Sequence, residues 1–261
     1  MDDYFQEIYS DVLYAYEEAN KARSKGFDPE DQVEIPLARN MSERVVGLVS
    51  VVAPILIDVG PTIVERISQL EEKHGVQDWR VALTIAGEVA EQRFCTFATK
   101  EQAMDIGIRV GIAYVTNGIV SSPLEGFVKL EVRKRRDGGN YVALFFSGPI
   151  RSAGGTGESL SVLIGDYVRK RLGYEVYDPT EDEIKRMVTE LYDYHEKVTN
   201  LQYLPSEDEI KMMISSIAVQ IEGDPSEKYD VSNYKGLDRV TTDKIRNGPC
   251  LVIGEGLCQK S

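Results

Sequence analysis

Apolar side chains in the first two dozen residues recur at helical spacing. Tyr4, Phe5, Ile8, Tyr9, Val12, Leu13 and Tyr16 form one broad stripe. Gly26, following Lys21, Arg23 and Lys25, stands where a helix-stopping glycine belongs. The pattern predicts an amphipathic helix within residues 1–26. The stretch FDPEDQVEIPLARN (27–40) then has two prolines and no period, and reads as a linker. Residues 41–125 are expected to be mainly helical, with three helices marked by local signals. Pro61 takes a first-turn position ahead of TIVERISQLEEKHG, which Gly75 closes. Asp78 is a good N-cap for WRVALTIAGEVAEQRF (79–94), and Thr99 with Gln102 makes a capping-box pattern before AMDIGIRVGIAYVTNG.

The period changes to two at GFVKLEVRKRR (126–136), where Phe127, Leu130 and Val132 alternate with charged positions. DGGN supplies turn chemistry, and YVALFFSG continues as the second strand of a hairpin. Helices are expected over 156–172, from Thr180 and from Ser206; both of the last two open with acidic first turns. The apolar run PCLVIGEG (249–256) is assigned as a final strand. The fold class is α+β: a helical N-terminal part, then a mixed part over 126–261 with a hairpin and helices, forming one or two domains.

Composition narrows the function. A chain of 261 residues with 42% hydrophobic and 28% charged positions can bury a sizeable core. VVGLVSVVAPILIDVG (45–60) is the longest apolar candidate and is broken by Pro54, so no membrane partner and a cytoplasmic location are expected. The three cysteines form no CxxC pair, and neither His74 nor His195 has a partner at metal spacing; no metal site is predicted. A net charge of −13 argues against a free-standing nucleic-acid binder unless a local patch or a larger assembly supplies the contact.

Two stretches carry candidate chemistry. SGPIRSAGGTGES joins a strand to a helix through glycines, an arrangement that presents backbone N–H groups at a helix N-terminus and suits anions. Arg151, Ser152, Gly154, Gly155 and Thr156 are the candidate phosphate contacts. The competing reading is a tight structural turn. Neither GxxxxGK[ST] nor GxGxxG occurs there, and Glu158 in the first turn would oppose a phosphate. The second stretch is Arg133, Lys134, Arg135 and Arg136 at the hairpin tip, either a backbone contact to nucleic acid or a solubilising tip. No catalytic constellation is visible.

ALFFSGPIRSAGGTGESLSVLIGDYVRKRLG (143–173) resembles the characteristic segment near the start of the large subunit of the archaeal family D DNA polymerase. VEIPLARNMSERVVGLV, TNGIVSSPLEGF, YHEKVTNLQYLPSEDEI and LVIGEGLCQKS resemble further blocks of that family in the same order. The resemblance implies an N-terminal fragment of a longer chain with an architectural and assembly role. It implies a heterodimer with a small exonuclease subunit, primer–template DNA as the substrate of the whole, and Mg²⁺ for the full polymerase but no cofactor in this segment. The family's catalytic aspartates and zinc motifs lie downstream, so no catalytic residue is expected here. Two alternatives stand beside it: a kinase similar to the GHMP small-molecule group using the glycine loop for ATP, and a module acting through self-association alone.

Overall fold

The computed structural model describes residues 2–27, 37–116 and 122–260. Residues 28–36 of the expected linker, and 117–121, which include the last two positions of the third marked stretch, lie outside the described residues. The fold is α+β, with helices first and a small sheet after them. Helix α1 (Asp2–Ser24) ends in paired closing bonds, Gly26 N–H to Arg23 O and Phe27 N–H to Ala22 O, with Gly26 at φ 75°.

Helix α2 (Met41–Val52) is capped by Asn40, whose side chain accepts from the Glu43 N–H. Helix α3 runs Leu56–His74, so Pro61 lies inside it and not at its first turn. Burial explains the earlier start. Leu56, Gly60, Ile63, Ile67 and Leu70 are buried along one face, and the packing of the first of these outweighs the single backbone bond that proline removes.

Helix α4 (Trp79–Ala90) is capped by Asp78 as expected, but it stops short of Phe94 because Gln92 turns left-handed at φ 60°. Helix α5 (Lys100–Val115) has Thr99 accepting from Gln102 N–H, while the Gln102 amide reaches back to Ala98 N–H, one residue beyond the usual capping box. These two helices cross closely on small residues. A Cβ on Gly107 would stand 2.4 Å from the Ala86 carbonyl oxygen.

A short helix α6 (Ser122–Gly126) leads into the hairpin of β1 (Phe127–Lys134) and β2 (Asn140–Phe146), antiparallel with Val132 opposite Val142. A third strand, β3 (Gln220–Glu222), pairs parallel with β2 and gives the order β1-β2-β3. After β2 a 3₁₀ turn (Gly148–Ala153) feeds helix α7 (Gly154–Arg171). Helix α8 (Glu181–Lys197) and α9 (Glu207–Ser216) each open with a complete capping box, on Thr180 with Glu183 and on Ser206 with Glu209.

The expected strand over 249–256 does not form. The chain there is helix α10 (Asn247–Leu251) followed by a π-helical segment, Val252–Cys258. Every residue from Gly248 to Gly256 is buried, so the run shows no period and cannot be told from a strand by pattern.

One apolar cluster extends from Val45 in α2 to Cys258. The sheet sits in it through Val142, Leu144 and Phe146, against α7. Its opposite face carries Tyr141, Ala143 and Phe145 with Tyr177. Cations cover that face: Lys129 lies 4.4 Å and Arg133 5.1 Å from the Phe145 ring, and Arg239 lies over both tyrosines.

Candidate functional site

The glycine loop is held from three sides. Ser147 N–H donates to Gly126 O, and Ser152 Oγ donates to Pro149 O within the 3₁₀ turn. Gly154 takes φ 68° with ψ 162°, an extended positive-φ conformation open essentially to glycine alone, and starts α7 without a side-chain cap. The third side is the π-helical segment. A Cβ on Gly155 would lie 2.5 Å from the Glu255 carbonyl oxygen and 3.1 Å from Lys260 Cε. Gly155 therefore serves a close backbone approach between the start of α7 and the far end of the chain.

Arg151 does not point into open space. Its Nε and Nη2 donate to the two Glu255 carboxylate oxygens at 3.0 and 2.8 Å, a forked pair. Glu255 also accepts from Gln202 N–H at 2.8 Å, tying in the loop before α9. Ser152, Gly154 and Thr156 remain exposed on the rim. Glu158, one turn into α7, is fully buried, and both of its carboxyl oxygens lack a hydrogen-bond partner. Burial first, then the neighbouring Glu255 charge, push its carboxyl up to about 8, with Arg151 pulling the other way.

The hairpin cations divide sharply. Arg133 bends under the sheet, donating to Glu222 at 2.9 Å, Gln220 at 3.0 Å, Glu131 at 2.8 Å and the Arg239 carbonyl at 2.9 Å. Arg135 pairs with Asp137 and the Val176 carbonyl, and Arg136 with Asp178 at 3.0 Å. Lys134 is exposed. The loop cluster and the hairpin cluster are thus separate sites, and in each the arginines are engaged within the chain. His195 is likewise structural, its Nδ1 accepting from Leu201 N–H at 3.0 Å.

A further cluster escaped the sequence reading. Arg246, buried beneath β3, sits between Glu190 of α8 and Glu222 of β3, and Arg186 adds to Glu190 at 3.3 Å. Through Glu222 the chain of charges reaches Arg133 and Glu131. Beside it Arg239 joins Asp178 and Glu183 at 2.5 and 2.6 Å. The visible signal was slight: charges set against apolar stretches, as in VQIEG and TDKIRNGPCLVIG. Such a charge needs a buried partner, but sequence does not say which.

The loop geometry meets an independent finding. The family described as DNA polymerase II large subunit DP2, N-terminal, matches residues 3–261. The chain belongs to that family. It is similar to the DNA polymerase II large subunits of Nanoarchaeum equitans, 46% identical over 97% of this chain, and Methanosarcina barkeri, 43% identical over all of it. The large subunit of Methanothermobacter thermautotrophicus is 42% identical, again over the whole chain. The chain spans about a fifth of the length of these relatives, 21–23%.

The described carboxylates do not assemble a magnesium-binding set. Among the described residues no three His, Cys, Asp or Glu side chains come together as metal ligands, and beside Glu158 both Glu255 oxygens are taken by Arg151 and Gln202.

Proposed function

We propose that this chain is an architectural and assembly region of a DNA polymerase large subunit and carries no part of its chemistry. The observation that supports this most directly is the fate of Arg151 and Gly155. In a phosphate loop both would face the ligand. Here the arginine is spent on Glu255, and the glycine admits the Glu255 backbone. The loop is a packing joint between α7 and the end of the chain. Nothing about it favours the kinase alternative, and family membership weighs against that reading.

On this reading polymerisation, with its Mg²⁺, belongs to other parts of the large subunit. The small exonuclease subunit and primer–template DNA are partners of the whole, and this segment helps to hold the assembly in register. Of the candidate cations at the hairpin, Lys134 and Arg136 are the ones exposed at the surface, Arg136 while paired with Asp178.

Fluorescence anisotropy of the chain with primer–template DNA, at low and high salt and with ATP–Mg²⁺ as competitor, tests the proposal. The expected result is weak binding that fades with salt, ignores ATP and is unchanged by Arg151→Gln. Tight magnesium-dependent ATP binding, or DNA binding abolished by Arg151→Gln, would overturn it. Light scattering on the same sample reads self-association.

A further inference from the structure

Glu158 differs from the other buried carboxylates among the described residues. Glu88, Glu183, Glu190, Asp193, Glu222 and Glu255 all accept hydrogen bonds, from arginine or from Ser232, while Glu158 accepts none. Its place is also particular. A Cβ on Gly256 would stand 2.9 Å from Glu158 Cβ and 3.1 Å from its Oε2, so the carboxyl lies directly beneath the π-helical backbone. The residue before Gly256 is Glu255, whose carboxylate is taken by Arg151. The contact between α7 and the π-helical segment therefore brings together two buried carboxyls and one partly exposed guanidinium. One proton closes that charge count.

Among the described residues no group donates a hydrogen bond to the Glu158 carboxyl. From the 3₁₀ turn the facing charge is Arg151, and from the π-helical segment it is Glu255. The Tyr194 phenol of α8 lies near both of these, and Lys260 rests against Gly155. The charges of α4 and α5 are committed elsewhere: Glu88 to Arg66, Glu91 to Arg171, Asp105 to Arg109. On α7 itself, Asp166 pairs with Arg169, two turns further along. β2 brings apolar residues to this side.

We propose that the Glu158–Glu255–Arg151 cluster is a proton-operated latch, in which one proton lets the Val252–Cys258 segment close over the glycine loop and its loss to solvent loosens that closure. With the proton in place Glu158 is a neutral acid and its burial costs little. Without it, a bare carboxylate is sealed beside a second one, and separating the two segments admits water to it. The carboxyl is raised from 4.5 to about 8, so the closed form holds the extra proton between those values. The latch is at full strength below about 4.5, weakens as pH rises, and is spent once pH has passed through about 8. This rests on the chain's own packing and is independent of what the assembled protein does.

Hydrogen–deuterium exchange on the full 261-residue chain at pH values from about 6 to about 9, corrected for intrinsic rates, reads the opening of residues 252–258. In the unaltered chain the opening constant should rise by up to about tenfold per pH unit, the limit for one proton, and level off above about 8. Glu158→Gln, which mimics the protonated acid, should hold it flat and leave the segment at least about tenfold more protected at the alkaline end. Glu255→Gln frees Arg151 for Glu158 and should move the transition to lower pH. A carbon-13 titration of the Glu158 carboxyl in the unaltered chain needs no variant at all. A midpoint near the ordinary glutamate value, or equal pH slopes for the unaltered and Glu158→Gln chains, would overturn the latch.

Discussion

Arg246 and Glu190 are joined three times over. The Arg246 backbone N–H and Nε both donate to Glu190 Oε1, at 2.7 and 2.9 Å, and Nη2 donates to Oε2 at 2.6 Å. Arg246 is 2% exposed and Glu190 fully buried, and the remaining guanidinium nitrogen meets Glu222. Removing the arginine would leave buried Glu190 with only Arg186 and buried Glu222 with only Arg133 as a cation. Arg246→Ala should cost about 3–5 kcal/mol in urea unfolding, the range for breaking a buried ion pair. Glu222→Gln, which keeps an acceptor and leaves Arg246 on Glu190, should cost about 1–3 kcal/mol.

Adjacent glycines in the loop should respond differently to the same substitution. A Cβ at Gly154 would meet nothing within 4 Å, and its cost arises from φ 68° alone. Gly154→Ala should therefore destabilise by about 1–3 kcal/mol. Gly155 has an ordinary φ but no room beside the Glu255 carbonyl. Gly155→Val should cost at least about 3 kcal/mol and loosen the π-helical segment, visible as lost exchange protection at residues 252–258 while α4 and α5 stay protected.

Asp178 sets part of the acid limit. Burial opposes its charge, but Arg239 and Arg136 both donate to it and bring its carboxyl down to about 2 from 3.8. A depressed carboxylate contributes stability that is complete above about 3.8 and is lost as pH falls through about 2. Discounted for partial exposure, Asp178→Asn should cost about 1–2 kcal/mol at neutral pH. The difference between the two chains should shrink towards zero near pH 2. Urea midpoints at several pH values check both limbs.

What could be read beforehand was what depends on near neighbours. The caps at Asn40, Asp78, Thr180 and Ser206 reach two or three residues along the chain, and the hairpin loop is five residues long. Of these, Asp78, Thr180, Ser206 and the hairpin were legible in the sequence. Pro61 misled because its local meaning yielded to the burial of Leu56. PCLVIGEG misled because a run buried on all sides has no polar face to set its period, and β3 is only three residues long. The glycine loop was legible as chemistry but not as geometry: its partner, Glu255, is 104 residues from Arg151. The Glu190–Arg246–Glu222 pairing spans 56 and 24 residues, and spacing alone carries no trace of it.

Arg133 and Lys134 look interchangeable in the run RKRR, yet the strand turns them to opposite sides. Arg133 is 17% exposed at its side chain, reaches Glu222, and lies over the Phe145 ring, while Lys134 is exposed to solvent. Burial works against its charge, but Glu222 and Glu131 hold the guanidinium firmly protonated. Arg133→Ala should cost about 2–4 kcal/mol, since Glu222 would keep Arg246 but lose its second cation. Arg133→Lys should recover little, because an ammonium cannot serve Glu131, Glu222 and Gln220 together as the planar fork does. Lys134→Ala should leave stability within about 0.5 kcal/mol. For DNA the order reverses: if the hairpin contributes to the weak, salt-dependent affinity, Lys134→Ala should lower its salt slope by about one unit. Unfolding curves and anisotropy titrations of the same three variants separate the structural cation from the solvent-facing one. Equal stability losses at both positions would contradict this assignment.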